Sequence, residues 1–225
     1  QTVYLTSMID FENVHKTQNA TINIAEVCGG AARTSRRAAR QHMSTGPNFD
    51  IVVGIDLTMR ENQHRVLRYF CEEDVLVAVM APVCTPYGPM SHLKWSINPE
   101  AMEDQLRTAR PIARLCGYIA GSQLAKGRHF IQEQPHPSSL YQETPWPSVL
   151  RDDRVVQMRY DRCMCELRET GRSNGLAIKK PSSMAASCME LVWPFRNCKC
   201  DGRHEHAVMQ GNRRQLSTSQ LWAWN

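Results

Sequence analysis

A chain of 225 residues, 42% hydrophobic and 22% charged, has the composition of a globular protein, long enough to bury the core of one α/β domain with a small appendage. No apolar run approaches the roughly 20 residues that cross a bilayer, and the polar start has no charged-then-apolar leader pattern; no membrane partner is expected. The net charge of +5 permits a polyanionic partner without requiring one. Nine cysteines with scattered spacing fit a disulfide framework poorly and point to an intracellular, reducing compartment, nuclear or cytoplasmic. Gln1 in place of an initiating methionine points to a piece of a longer chain.

Residues 1–20 are mixed and polar and read as an extension or the remnant of a linker. The first strand is expected at Ile22–Val27, ending in Cys28-Gly29-Gly30-Ala31-Ala32 and followed by a helix from about Thr34 to Met43. Strand, glycine turn and helix open a doubly wound nucleotide-binding fold. The glycines let a ligand approach the backbone, and the helix N-terminus favours anionic or polar groups. Glu26, at the strand end, is the candidate for a ribose or an amino group. Alanine at 31 and 32 predicts an ordinary backbone there rather than a positive φ. Arg33, Arg36, Arg37 and Arg40 make the helix basic, either a solvated face or a phosphate-contacting patch.

Pro47-Asn48 predicts a second strand over Phe49–Leu57, with Asp56 near its carboxyl end. Thr58-Met59-Arg60-Glu61 reads as a capping box that starts a helix packed through Val66, Leu67 and Phe70. Val75 to Met80 is an apolar run without polar alternation, as in a strand covered on both faces of a parallel sheet. It enters a loop stiffened by Pro82 and Pro86 and released by Gly88, and the loop presents Cys84 where open α/β sheets place their chemistry. A buried cysteine before a turn is the plainer alternative. Pro89 to Trp95 is expected as a mobile loop in which His92 and Trp95 contact substrate or pack.

Asn98-Pro99-Glu100 predicts an N-cap and a long helix to about Lys126, kinked at Pro111. Arg128–Pro135 is a further strand carrying Glu133. Short helical turns near 138–150, a strand over 154–160 and an antiparallel strand near Leu176–Ser182 close the sheet. Lys179 and Lys180 are phosphate contacts or solvated lysines. In Cys198-Lys199-Cys200-Asp201-Gly202-Arg203-His204-Glu205-His206 the donors Cys198, Cys200, His204 and His206 suit zinc in type, with Cys163 as a candidate to replace one; the alternative is a polar surface loop. The fold expected is α/β and Rossmann-like, a mostly parallel sheet closed by antiparallel strands over 21–195, with a Cys/His-containing tail over 196–225.

Pro82-Val83-Cys84-Thr85-Pro86-Tyr87-Gly88 resembles the Pro-Cys loop of cytosine-5 DNA methyltransferases. It is closer to the methyltransferase-like segments of protist Copia-type retrotransposon polyproteins, which read Ala-Pro-Pro-Cys-Thr-x-Phe-Gly; Val83 stands where they have proline. Glu133-Gln134-Pro135 matches their Glu-Gln-Pro, and Glu26, Cys28, Gly29 and Gly30 match the start of their Glu-x-Cys-Gly-Gly-Glu-Gly-Gly. Gln210-Gly211-Asn212 is similar to a closing motif of the methyltransferases.

The resemblance implies methyl transfer from S-adenosylmethionine to cytosine, in DNA more than RNA. It implies Cys84 as nucleophile, Glu133 as its partner, and Glu26, Gly29, Gly30, Asp56 and Pro82 at the cofactor. Arg36, Arg37, Lys179 and Lys180 are the nucleic-acid candidates. Glu26, Asp56, Cys84 and Glu133 are expected to share the carboxyl edge of the sheet. Two other readings stand beside this one. The fold is a catalytically silent nucleic-acid-binding or assembly module of a mobile element, or a cysteine hydrolase using His92 or His129.

Overall fold

The run Val75–Met80 forms β3, and all of it is buried except the half-buried Val79. Burial on both faces follows from its neighbours. β3 pairs in parallel with β1 (Ile22–Val27) on one side and β4 (His129–Pro135) on the other. The computed structural model describes residues 20–168 and 175–207; the rest of the N-terminal extension, 169–174, Gln210-Gly211-Asn212 and the side chain of His92 lie outside the described residues.

The sheet has six strands in the order β2-β1-β3-β4-β6-β5, with β2 at Thr45–Phe49, β5 at Val156–Asp161 and β6 at Pro181–Ala186. β6 runs antiparallel to both β4 and β5, so the other five strands all point the same way. This sheet, mostly parallel and closed by an antiparallel strand, is the Rossmann-like α/β arrangement expected from the sequence. β2 is an edge strand, which is why Pro47 sits inside it without costing a ladder hydrogen bond.

The helices α1 (Arg33–Arg40), α2 (Arg60–Glu72), α3 (Ser91–Ile97), α4 (Pro99–Ala125), α5 (Trp146–Val149) and α6 (Met189–Val192) connect and cover the strands. Asn98 caps α4 by accepting the Ala101 N–H at 2.9 Å, and the helix passes Pro111 without ending. Its buried face carries Gln123, whose amide donates to the carbonyls of Val75 and His129. These bonds satisfy polar atoms that burial would otherwise penalise. Trp146 is fully buried and donates its indole N–H to Ala113 O at 2.8 Å. The alternation of β4 sends Phe130, Gln132 and Gln134 to this covered side and leaves His129, Ile131 and Glu133 half-buried on the other. That second side holds an apolar groove of about 390 Å³ between α1 and the α6 segment, floored by Ile24, Val77, Val79 and Ile131.

Three local expectations are corrected. Residues Ile51–Val53 form a 3₁₀ turn instead of a strand, with Ile51 65%, Val52 69% and Val53 56% exposed. The cause is Asp50, whose carboxylate accepts the Val52 N–H at 2.9 Å and ends the strand. Thr58 forms no capping box; its hydroxyl donates to Asp56 at 2.7 Å, and α2 starts without a side-chain cap. Residues 91–97 are helical where a loop was expected.

Candidate active site

The turn after β1 alternates handedness, with Cys28, Gly30 and Ala32 at φ of 57°, 55° and 52°. Ala32 therefore takes the left-handed conformation its side chain was expected to forbid, at a cost of about 1–2 kcal/mol. Polar bonds from the end of β2 hold the turn against that cost. Gly29 N–H donates to Asn48 Oδ1 at 3.2 Å, Asn48 Nδ2 donates to Gly30 O at 2.8 Å, and Gly30 N–H donates to Asp50 Oδ2 at 2.9 Å. Glu26 is 2% exposed, and its Oε1 accepts the Ser35 N–H at 2.7 Å in the first turn of α1. A Cβ on Gly29 would lie 2.5 Å from Glu26 Oε2, so only glycine fits beside this carboxylate. At Gly30 the same position is open space, and both glycines line the groove with Glu26. A bare, open backbone beside a buried carboxylate fits the amino-acid end of a bound nucleoside cofactor.

Asp56 is not at a strand end. It bonds the Thr58 N–H and hydroxyl in its own turn, and these bonds hold its carboxyl below the usual range. The carboxyl edge of β2 instead carries Asn48 and Asp50, which the sequence reading missed. The local signal is weak: the strand Thr45–Phe49 that places them has little apolar pattern, and the Ile51-Val52-Val53 run just after it reads as the strand.

The loop after β3 closes on Cys84, whose carbonyl accepts the N–H groups of Tyr87 and Gly88, each at 3.0 Å. Pro82 is buried, and its carbonyl accepts from Gln134 Nε2 at 3.1 Å, locking the loop to β4. Glu133, the preceding residue of β4, projects to the groove side and forms a close ion pair with Arg162. Arg162 also donates from Nε to Ser182 Oγ at 2.9 Å. Burial opposes the charge of the Arg162 guanidinium, and the neighbouring Glu133 carboxylate raises its proton affinity against that effect. Arg162 was missed from the sequence, although it directly follows β5 and so falls on the carboxyl edge shared by the five like-directed strands. β6 runs the other way, which brings Lys180, just before its start, to the same edge.

Cys84, Glu133, Arg162 and Lys180 interact electrostatically. Burial pushes the Cys84 thiol above its ordinary value; Lys180 and Arg162 pull it down, and Glu133 adds to the rise. Burial and Arg162 push the Lys180 ammonium down, with Glu133 and Cys84 opposing. Cys28, by contrast, is driven to about 12 by burial and then by Asp50, without a cation to offset it. Of the two thiols, Cys84 is therefore the easier to ionise. Its alkylation by iodoacetamide should keep climbing above pH ~8.5. At a fixed pH of about 8, Lys180→Met should slow labelling by roughly 2- to 10-fold, and Glu133→Gln should speed it by a similar factor. Mass-spectrometric rates that move both variants in the same direction would contradict this charge arrangement.

Among the other candidates, Arg36 and Arg37 are exposed on α1, where Arg37 lines the groove, and Lys179 is exposed beside the half-buried Lys180. His129 begins β4 at the amino edge, where its Nδ1 lies 3.0 Å from Ser187 Oγ, so it does not serve Cys84 as a hydrolase would require. Of the expected metal ligands, Cys200, His204 and His206 come together, but with Cys163 rather than Cys198. Cys198 lies against Cys165, whose hydrogen bond lowers it to about 7.

No protein-family model and no curated protein matches the chain. Among solved structures it is similar to the S. pombe Dnmt2 methyltransferase, with a TM-score of 0.41 and 10% identity over 83% of this chain. The match spans 57% of that chain's length.

Proposed function

We propose that the chain is an S-adenosylmethionine-dependent methyltransferase domain that acts on C5 of cytosine in DNA, as a segment of a retroelement polyprotein. The reading rests on one observation above all. A thiol, a carboxylate and two cations interact at the sheet edge that also bears an open glycine turn. The resemblance of the Cys84 and Glu133 segments to cytosine-5 methyltransferases supplies the chemistry.

On this reading Gly29, Gly30 and Glu26 hold the cofactor, which when bound supplies an electrophilic methyl group. The target base leaves the helical stack to reach the site. Cys84 gives its proton to solvent, with Lys180 beside it stabilising the thiolate, and Sγ bonds to C6 of the ring. The Glu133 carboxylate, oriented by Arg162, shares a proton taken up from solvent with N3, so the electron pair displaced from the C5–C6 bond is accommodated as C5 becomes nucleophilic. Once C5 is methylated, its proton passes to water, the electron pair it leaves re-forms the C5–C6 double bond, and the Sγ–C6 bond breaks, which restores the thiolate.

A second reading, a catalytically silent nucleic-acid-binding module, is favoured by the use of Glu26 Oε1 as a helix cap and by the burial of Cys84. Calorimetry with S-adenosylmethionine separates the two. The active reading expects saturable binding that Glu26→Gln weakens at least ~10-fold, because the substitution keeps an acceptor for Ser35 but removes the charge. No heat at about 1 mM cofactor, together with salt-sensitive DNA binding, would leave the silent module in its place.

A further inference from the structure

The tail beyond β6 folds back onto β5. Asp161 N–H donates to Cys198 O at 2.7 Å, and Cys200 N–H donates to Asp161 Oδ2 at 2.9 Å. Ala207 N–H donates to Ala177 O at 2.9 Å, and Leu167, Ile178 and Ala207 pack as a small separate cluster. These contacts carry Cys200, His204 and His206 onto the 3₁₀ turn Arg162–Cys165, where Cys163 is buried.

One donor atom from each of Cys163, Cys200, His204 and His206 lies within 4.8 Å of all the others. Cys200 Sγ is 3.4 Å from His206 Nε2 and 3.8 Å from His204 Nε2. A tetrahedral zinc ion with Zn–S of about 2.3 Å and Zn–N of about 2.0–2.1 Å requires donor separations of roughly 3.3–3.8 Å. The turn around Cys200 is shaped for a thiolate as well. Gly202, at φ 77°, directs its N–H to Cys200 Sγ at 3.4 Å. That bond stabilises a negative sulfur, and a side chain at 202 would be strained in this conformation. Two thiols and two imidazoles gathered in one cluster select zinc over the oxygen-seeking cations. Four protein donors leave no open position, so such a site is structural.

We propose that Cys163, Cys200, His204 and His206 hold one structural zinc ion that clamps the tail onto the turn carrying Arg162. Arg162 immediately precedes the Cys163 ligand, so the ion fixes the guanidinium that holds Glu133. The metal site stands on its own geometry, independently of the methyl-transfer reading.

Elemental analysis of the full chain purified without chelator tests it, and one zinc per chain is expected. Cobalt substitution should give the intense visible bands of a tetrahedral thiolate site. Cys163→Ser and Cys200→Ser should lose the metal, and Cys198→Ser should keep it. The reverse pattern, or metal-free wild type, would overturn the assignment. Should the first two variants fail to fold, wild type answers by itself: a chelator should expose Cys163 and Cys200 to alkylation while labelling of the exposed Cys71 stays constant. Equal labelling of Cys163 and Cys200 with and without chelator would also sink the proposal.

Discussion

On the proposed function, Cys84→Ser protein should lose methyl transfer by roughly 10⁴-fold or more while binding S-adenosylmethionine as wild type does. A serine hydroxyl fills the same place in the loop after β3. Its carbonyl partners Tyr87 and Gly88 are backbone groups, so the substitution leaves their bonds in place. What disappears is a group that ionises within reach of Lys180 and Arg162. An alcohol, with a far higher pKa than a thiol, has no comparable anionic fraction there, so addition to C6 stops. Transfer of labelled methyl groups to cytosine-containing duplex DNA measures the loss. A variant that methylates as fast as wild type would remove Cys84 from the mechanism. The loss of cofactor binding as well would show that the substitution acts on the fold instead.

Arg162→Met should destabilise the protein by about 3–5 kcal/mol. The side chains of Arg162 and Glu133 are only 6% and 12% exposed, so removing the cation strands a carboxylate in a poorly hydrated position. It also takes the donor from Ser182 Oγ. A surface ion pair would lose about 1 kcal/mol or less, and the difference between these figures is the test of burial. Urea unfolding measures it, and Glu133→Gln combined with Arg162→Met should recover most of the loss because no charge is then left unpaired. A single variant within about 1 kcal/mol of wild type would mean that water reaches Glu133 freely. Recovery in the double variant without recovery of activity would separate the structural part of the pair from its chemical part.

Much of this architecture is legible along the chain. The unbroken apolar run of β3, the Asn98-Pro99 start of α4 and the strand-glycine-helix opening are each written within a few neighbouring residues, and the structure has all three. So is the Cys84 loop, because its prolines and glycine set its backbone locally. The errors occur where a side chain found a partner outside its own pattern. Ile51-Val52-Val53 has strand composition, yet Asp50 took the Val52 N–H and bound Gly30 across 20 residues, which ended the strand and left the three apolar side chains exposed. Thr58 has the spacing of a cap, yet Asp56 captured its hydroxyl. Ala32 should avoid a positive φ, yet the bonds from Asn48 and Asp50 to the glycines before it hold the turn in place.

By itself the sequence determined the fold class, the parallel core strands, the cysteine loop and the carboxylate strand, because each depends on local periodicity and turn chemistry. Only the tertiary structure decided which charges meet. Arg162 reaches Glu133 across 29 residues because β6 enters the sheet between β4 and β5 in the opposite sense. Cys163 replaces Cys198 in the Cys/His cluster because Asp161 anchors the returning tail through the N–H of Cys200. Both pairings follow from strand order and chain reversal; the sequence offered Cys163 as a substitute donor without saying which cysteine it displaces, and it carried no record of the Arg162–Glu133 pair.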